Sequence, residues 1–316
     1  MEIQPIKERI RQFRWNLDGR SIPLGLGCAW LSDMPGEDPV DILAQCYDLG
    51  IRYYDTSRSY RDSEVILGEL IKTIDRRTIF LATKSKFPYR EANGFEMFKQ
   101  NFYESFERLR TDHIDLYQIH DTECFDCCLE QVIPFLQDRR KEGLIDYIGM
   151  GTRSLTAHQQ AIASGLIDSA LSYTDYSLLK KPAKPLIELT RRKGAAFINA
   201  SVLLFGLLKG ADNSQTSARL TVQQRKRREF AKSMRDLCRE MGVNIIDAAL
   251  QESLWNPDID MTLNGIHRRS NLESTLRAMR AAIYPEQWAA ILELQRTCDN
   301  FEIEDEYRYE QSIPAK

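Results

Sequence analysis

Four side chains of the types used in proton transfer occur where predicted strands end. Asp55 follows a short apolar run, and Tyr60 lies on the loop just after it. Lys84 and His120 end the next two predicted strands. A tyrosine hydroxyl, with an unperturbed pKa near ~10, is a poor acid at neutral pH, but a nearby ammonium lowers that pKa by stabilising the tyrosinate. With a carboxylate to hold the ammonium and an imidazole to hold a substrate oxygen, the set predicts general acid–base catalysis at a carbonyl or an alcohol.

Each of these residues also has an ordinary structural explanation. A histidine in an apolar strand such as IDLYQIH is often a satisfied core residue, an Asp-Thr pair after a strand is often a helix cap, and Lys84 can be a plain surface charge. Four compatible groups at consecutive strand ends are hard to obtain by accident. The combination therefore favours the catalytic interpretation.

The elements that would position these residues alternate along the chain. Asp18-Gly19 predicts a hairpin turn between residues 13–16 and 21–24, and a first strand runs through Gly27. Further strands are predicted at 52–55, 78–84, 113–120, 145–149, 167–172, 195–200 and 261–265. Helices are predicted at 39–49, 63–73, 95–109, 129–142, 155–163, 183–193, 222–241, 245–255, 270–282 and 285–297.

Eight strands alternating with helices predict an α/β protein, a closed (β/α)8 TIM barrel with an N-terminal β-hairpin and extra C-terminal helices. The carboxyl ends of the strands then meet at one face, where the four polar residues converge. An open doubly wound sheet has the same alternation, but it calls for an early glycine-rich phosphate loop that this sequence lacks. We therefore expect one barrel domain over residues 1–316.

Composition narrows the function classes. A net charge of -3 over 316 residues offers no electrostatic footprint for nucleic acid or an anionic membrane. The basic run at residues 225–228 is expected to be the solvated face of a helix. With a charged N-terminus and no apolar run long enough to cross a bilayer, we expect a cytoplasmic protein with reduced thiols.

Three of the seven cysteines, Cys124, Cys127 and Cys128, follow His120 closely. A zinc site of the CxxC type needs a second pair or a spaced histidine pair, and neither follows. The cluster is therefore expected to pack in the core or at a helix start, and no metal site is predicted.

At these residues the chain resembles the aldo-keto reductase superfamily over nearly its whole length. The resemblance lies in YYDTSRSY, LATKSK, DHIDLYQIHD, KEGLIDYIGMG, NASVLLFGLL and NGIHRRSNLESTLRAM. It implies a (β/α)8 barrel that binds a nicotinamide dinucleotide without a Rossmann domain and transfers hydride between the cofactor and a carbonyl carbon. It also implies that Asp55, Tyr60, Lys84 and His120 are the catalytic tetrad, with Tyr60 as general acid in reduction and base in oxidation. HDTE and LSYTDYSLL look most like the branch that contains L-galactose dehydrogenase and D-threo-aldose dehydrogenase.

The same resemblance implies a set of cofactor contacts: Gly151, Thr152, Ser201, Leu203, Gly206, Gly265, Arg268, Arg269, Asn271 and Thr275. Several depart from the usual family pattern. Gly151-Thr152 replaces the Ser-Asn pair that holds the carboxamide, the position of a usual Gln aligns with Ala170, and Asn271 and Thr275 replace a Gln and an Asn near the adenine. The guanidinium group of arginine donates paired hydrogen bonds to phosphate, so Arg268 and Arg269 favour NADP, with NAD also possible.

Substrate contacts are expected from Trp30, Arg58, Phe87 and Tyr173 on the loops after the strands. Their aromatic rings suit an apolar or ring-shaped small molecule with a carbonyl or alcohol group. Trp30 is equally suited to packing at the barrel rim, and Arg58 to pairing with a carboxylate. Two other functions stay open: a nucleotide-binding, redox-sensing regulatory subunit with little turnover, like the β-subunits of potassium channels, and a metal-dependent barrel enzyme, for which only Asp55 and His120 qualify as ligands.

Overall fold

The computed structural model describes residues 3–33, 36–210 and 222–298, and it begins with a helix and a hairpin outside the barrel. Helix α1 (Ile6–Arg11) is followed by β1 (Trp15–Leu17) and β2 (Arg20–Ile22), which pair antiparallel across the Asp18-Gly19 turn. The hairpin confirms the sequence prediction, whereas α1 was not predicted. The outer ends of the expected single domain, residues 1–2 and 299–316, lie outside the described ranges.

Eight parallel strands form a closed barrel, which confirms the predicted fold class. In chain order they are β3 (Leu24–Gly27), β4 (Tyr53–Asp55), β5 (Phe80–Lys86), β6 (Ile114–His120), β7 (Ile145–Gly151), β8 (Ser169–Tyr173), β9 (Ala196–Ala200) and β10 (Met261–Asn264). Each strand pairs with the next, and β10 closes the barrel by pairing with both β9 and β3. Strand β5 begins later than predicted because Asp75 caps a 3₁₀ turn, Arg76–Thr78, in front of it.

Helices surround the barrel and fill the intervals between strands. They are α2 (Pro39–Asp48), α3 (Ser63–Ile71), α4 (Gly94–Leu109), α5 (Val132–Lys141), α6 (Leu155–Ser164), α7 (Lys184–Lys193), α8 (Val222–Glu240), α9 (Ile245–Leu254), α10 (Arg269–Arg280) and α11 (Pro285–Arg296). Side-chain caps mark several starts: Asp38 accepts from the Val40 amide, and Asn244 accepts from the Ile246 amide. Across the described ranges, no helix combines the length and hydropathy that a membrane span requires.

Alternation along the strands divides the core into two layers. Side chains such as Tyr54 and Ala170 point outward into the layer between strands and helices, and Tyr53 and Leu171 point into the barrel. Helix α1 and the following turn close the amino-terminal mouth of the barrel with three buried side chains: Ile6, Ile10 and Phe13. The barrel is thus a filled core that is covered at one end.

Two buried carboxylates tie α1 to the strands at this amino-terminal face. Asp115 accepts a hydrogen bond from the Leu81 amide at 2.9 Å and pairs with Arg9 at 3.4 Å. Asp260 pairs with Lys7 at 3.1 Å. Because these polar groups are engaged in structure, this end of the barrel is a stability face.

Close packing inside the barrel requires a glycine at position 149 of β7. A Cβ there would lie 2.5 Å from Ser169 Oγ and 2.8 Å from Gln118 Cγ, well inside normal contact distance. Gly27, near the end of β3, differs in this respect, because a Cβ there would meet Leu263 Cβ at an ordinary 3.7 Å.

We expect Gly149→Ala to lower the free energy of unfolding by about 1–3 kcal/mol, since an added methyl overpacks the interior. The control Gly27→Ala should change it by less than about 1 kcal/mol. Urea unfolding of the two variants and the wild type measures both values. Equal effects of the two substitutions would contradict the packing argument.

Candidate active site

The centre of the carboxyl face is a buried ion pair between neighbouring strands. Lys84 Nζ of β5 donates to Asp55 Oδ1 at the end of β4, and also to the Thr56 carbonyl at 2.8 Å. Gln118 of β6 donates to the other carboxylate oxygen of Asp55 at 2.8 Å. Lys84 is 1% exposed and Asp55 3%, so both charges are held away from water. Burial raises the pKa of Asp55, and the Lys84 ammonium and the Gln118 amide oppose that rise.

Tyr60 lies against this pair on the loop after β4. Its ring meets the His120 ring edge to face at 5.5 Å between centroids, and Lys84 Nζ lies 4.9 Å from the Tyr60 ring centroid. Burial raises the pKa of Tyr60 well above its usual value, and the carboxylates of Asp55 and Asp121 add to the rise. The expected lowering of the Tyr60 pKa is therefore wrong for the protein alone, because burial of the hydroxyl dominates its pKa.

His120 ends β6 with its ring buried beside Tyr60. Burial lowers the pKa of His120 to about 3, the ammoniums of Lys84 and Lys86 act in the same direction, and Asp121 opposes them. The imidazole is therefore neutral at physiological pH. Its Nδ1 lies 2.9 Å from Ser57 Oγ, which leaves Nε2 as the nitrogen available to a ligand.

Ser57 and Gln118 position the tetrad, although the sequence analysis did not single them out. Ser57 Oγ also bonds the Lys84 carbonyl at 2.9 Å and accepts from the Ser59 amide at 3.1 Å. Gln118 had a detectable signal in the sequence, because it lies two positions before His120 in a strand and the two side chains therefore share a face.

Strained backbone marks the same face of the barrel. Asp121, Thr174 and Ser201 directly follow β6, β8 and β9, and all three have positive φ, at 50°, 72° and 57°. Such conformations in non-glycine residues cost of order 1 kcal/mol or more and cluster at functional sites. Asp121 is held in place, since its carboxylate accepts from the Tyr173 hydroxyl at 2.5 Å and pairs with Lys86 at 3.2 Å.

The predicted cofactor residues lie around this face. Gly151 ends β7, where a Cβ would come within 3.3 Å of Lys84 Cδ, so the glycine keeps the space beside the ion pair open. Thr152 follows it and is buried. Ser201, Leu203 and Gly206 belong to the segment after β9, in which Gly206 has φ 92°.

The remaining predicted cofactor residues follow β10. Gly265 comes directly after the strand, and Arg268 and Arg269 are exposed at the start of α10. Asn271 Oδ1 is buried and takes no hydrogen bond within the described part of the chain. Thr275 is buried and bonds to Asn264 at 2.8 Å and to the Asn271 carbonyl at 2.7 Å. An unsatisfied acceptor beside two exposed guanidiniums fits the amine and phosphate groups of a nucleotide.

The predicted substrate residues separate into two pairs. Trp30 is 48% exposed and lies beside Gly265, and Tyr173 is half-buried against Asp121. Arg58 instead pairs with Glu104 of α4, its Nε 2.8 Å from the carboxylate. Phe87 is buried in the outer layer, 6.2 Å from the Phe98 ring.

Ala170 also differs from its sequence assignment. It lies in the middle of β8 and points outward, so it cannot take the place of a carboxamide-binding Gln. Pleating places Tyr173, not Ala170, at the inward-facing end of this strand.

Cys124 and Cys127 correct a second expectation, because they form a disulfide. The sequence predicted reduced thiols throughout, because thiols stay reduced in the cytoplasm where the chain was expected to be. Cys128 is a buried thiol, as the packing interpretation predicted.

A group of possible metal ligands lies at the opposite end of the barrel: His113, Asp115 and Asp146. Asp115 already contacts Arg76 at 2.7 Å and Arg9 at 3.4 Å. Two guanidiniums compete with any cation there, so the group is an ion-pair network.

The closed barrel thus brings four side chains together at its carboxyl face: Asp55, Tyr60, Lys84 and His120. The family model described as the Aldo/keto reductase family matches residues 23–296. The chain therefore belongs to the aldo/keto reductase family, and it is an NAD(P)-dependent oxidoreductase.

Similar proteins agree with this membership. The chain is 30% identical over 271 residues to L-galactose dehydrogenase of Arabidopsis thaliana, covering 81% of this chain and 83% of that protein. It is 26% identical over 312 residues to D-threo-aldose 1-dehydrogenase of Pseudomonas sp, covering 87% and 94%. The holo form of the aldo-keto reductase AKR11C1 from Bacillus halodurans superimposes with a TM-score of 0.72 at 22% identity, covering 89% of this chain and 95% of that one, and shows the shared fold.

The neutral state of His120 predicts how stability depends on pH. Below about pH 6.5 the unfolded chain takes up a proton at this residue that the native protein does not, so stability falls by ~1.4 kcal/mol per pH unit toward pH 3. Between pH 7.5 and pH 5, the free energy of unfolding should therefore fall by about 2 kcal/mol less in His120→Gln than in the wild type. Urea unfolding at the two pH values measures this difference.

A matched control is His113→Gln. The hydrogen bond from His113 to Asp146 raises the pKa of His113, so protonation of this residue stabilises the native state as pH falls. His113→Gln should therefore lose more free energy of unfolding than the wild type between pH 7.5 and pH 5. The assignment would be contradicted if His120→Gln and the wild type lost the same stability between the two pH values.

Proposed function

We propose that the chain transfers hydride between NADP and the carbonyl or alcohol carbon of a small substrate, with Tyr60 as the proton donor and acceptor. The observation that carries this proposal is the convergence of Tyr60, Lys84, Asp55 and His120 at one mouth of the barrel. When bound, a nicotinamide dinucleotide supplies the hydride in reduction and accepts it in oxidation.

Tyr60 stands protonated in the protein alone, because burial and the nearby carboxylates disfavour the phenolate. This is the form that gives a proton to a carbonyl oxygen during reduction. Lys84 lies beside the ring and stabilises the phenolate left behind, and Asp55 fixes the ammonium in that place. Oxidation runs the same transfer in reverse.

His120 holds the substrate oxygen through Nε2. To donate there, the neutral ring must carry its proton on Nε2 and accept one at Nδ1. Ser57 can supply that hydrogen bond, since its hydroxyl lies 2.9 Å from Nδ1. The Lys84 carbonyl that Ser57 also contacts keeps a hydrogen bond from the Arg58 amide at 3.0 Å, so it stays satisfied when the Ser57 hydroxyl turns to His120.

For the substrate we propose an aldose-type sugar. L-galactose dehydrogenase and D-threo-aldose 1-dehydrogenase, to which the chain is similar, are named for sugars. Beside His120, the ion pair of Asp121 and Lys86 places polar groups at the rim that suit sugar hydroxyls. Tyr173 and Trp30 add aromatic rings at the same rim. We propose these two aromatic residues as the substrate contacts, since Arg58 and Phe87 are occupied elsewhere.

For the cofactor we propose NADP. Arg268 and Arg269 are exposed at the start of α10, next to the unsatisfied Asn271 oxygen, which suits a ribose phosphate beside an adenine. Gly151 and Thr152 are proposed at the nicotinamide end, and Ser201, Leu203 and Gly206 along the segment after β9. A cytoplasmic location stays a prediction of the sequence.

Tyr60→Phe should lower turnover by about 10²–10⁴-fold, because the proton donor is lost while the ring and its packing remain. Nucleotide affinity, measured by intrinsic fluorescence, should stay unchanged. Turnover is followed by NADPH absorbance with a panel of aldoses that includes L-galactose. Tyr103→Phe, on the exposed side of α4, is the matched control and should behave as the wild type.

Unchanged turnover in Tyr60→Phe would remove that residue from the mechanism. If instead the wild type bound nucleotide tightly and turned over no carbonyl or sugar above background, the regulatory-subunit function would replace the enzyme proposal.

Arg268→Ala combined with Arg269→Ala should weaken NADPH binding by roughly 10–100-fold, the range expected for lost hydrogen bonds to a charged group. NADH binding should be unaffected, because NADH lacks the 2′-phosphate on the adenosine ribose that the two arginines are proposed to bind. Arg280→Ala, at the other end of α10, serves as control and should change neither affinity. Equal weakening of both nucleotides would show that the two arginines do not recognise the phosphate.

A further inference from the structure

The disulfide between Cys124 and Cys127 lies on the loop that follows β6, shortly after His120. Both residues are partly exposed, whereas the adjacent Cys128 is buried. Thiols and disulfides that exchange with outside reagents need this access to solvent, and buried ones are inert. The pair is therefore placed to react, and neither the tetrad nor the proposed cofactor contacts use it.

The backbone of this loop is held without the sulfur–sulfur bond. Thr122 Oγ1 donates to the Cys124 carbonyl at 3.2 Å, and the Cys124 amide donates back to Thr122 Oγ1 at 3.3 Å. The Cys128 amide bonds the Phe125 carbonyl at 2.8 Å, and the Phe125 and Cys128 side chains are anchored in the core. Opening the disulfide would leave these contacts in place.

A structural role accounts poorly for a bond in this position. Cross-links that close short loops remove the least chain entropy from the unfolded state, and this one spans a sequence separation of only 3. Short span and exposure both favour a reactive pair.

The two sulfurs are not equivalent. The Cys127 amide donates a hydrogen bond to Cys124 Sγ at 3.2 Å. An N–H directed at a sulfur stabilises the thiolate there, and a more stable thiolate leaves faster in exchange. Cys124 is thus the leaving sulfur when the bond opens and the attacking one when it forms again.

We propose that Cys124 and Cys127 form a thiol–disulfide exchange site that reacts with dithiol reductants. A thiolate of the reductant attacks Cys127 Sγ, the Cys124–Cys127 bond breaks, and its electron pair leaves on Cys124. The second thiol of the reductant then attacks the mixed disulfide, releases the Cys127 thiolate and leaves the reductant as its own disulfide. Two electrons pass to the protein, the two cysteines take up two protons, and the reverse sequence restores the bond.

The first test is alkylation of the natively folded, full-length protein with a maleimide, before and after treatment with dithiothreitol, followed by peptide mass mapping. We expect Cys124 and Cys127 to become labelled only after reduction, and to be protected again once the dithiothreitol is removed and oxidised glutathione is added. The buried thiols stay unlabelled, and the variant Cys124→Ser/Cys127→Ser shows no label that depends on the reductant.

Two results would overturn the proposal. Full labelling of both residues without reductant would show that there is no disulfide to exchange. A bond that dithiothreitol opens only in urea would be a structural cross-link. The assay reads labels rather than turnover, so its outcome is independent of the proposed hydride transfer.

The second test measures the non-equivalence of the sulfurs. Cys127→Ser keeps the amide at position 127 and frees the Cys124 thiol, and Cys124→Ser frees the Cys127 thiol. Peptide mass mapping separates either label from one on the partly exposed Cys298. We expect Cys124 to react roughly tenfold faster with maleimide at slightly acid pH, as for a thiolate favoured by about one pK unit. Equal rates at every pH would overturn the assignment of Cys124 as the leaving sulfur.

Discussion

The carboxyl face depends on one interaction, the buried ion pair between Lys84 and Asp55. Removing two charges from water costs several kcal/mol per ion, which is recovered only when both partners are fully hydrogen-bonded. Here Asp55 accepts from Lys84 and Gln118, and Lys84 also donates to the Thr56 carbonyl. These bonds require three neighbouring strands in one register, with Asp55 beside Ala82 and Lys84 beside Gln118. Barrel closure thus determines the geometry of the site.

The same pair sets the electrostatics of the tyrosine. An ammonium near Tyr60 favours the phenolate, but in the protein alone burial of the hydroxyl and the carboxylates of Asp55 and Asp121 outweigh it. The protein alone therefore holds a protonated phenol beside a neutral imidazole, and both are held that way by burial. In the proposed mechanism this state is ready to donate a proton, so reduction would start from the protein as it stands, whereas oxidation would first require Tyr60 to lose its proton.

The sequence predicted the repeating strand–helix units of the barrel. Parallel strands buried on both faces read as apolar runs, and polar residues at their ends identified Asp55, Lys84 and His120. Helix α1 was missed because a six-residue helix is too short for periodicity to show. Arg58 pairs with Glu104 and Phe87 packs in the outer layer, contacts that the sequence could not show because a loop residue carries no period that says which way it points. Their contact with substrate stays a prediction. Likewise, CxxC spacing cannot reveal that Cys124 and Cys127 are bonded, whereas Gln118 could have been found from the strand alternation that also corrects Ala170.

Asp121 lies between His120, at the end of β6, and the loop segment that carries the disulfide. Its φ of 50° is a conformation that a non-glycine residue keeps only when neighbours enforce it. Its amide donates to the Gly151 carbonyl at 2.8 Å, and its carboxylate is held by Tyr173 and Lys86. Asp121 is thus anchored on three sides, by residues of β5, β7 and β8. Its carboxylate lies 3.7 Å from His120 Nε2, so the position that these contacts impose bears directly on the electrostatics of the imidazole.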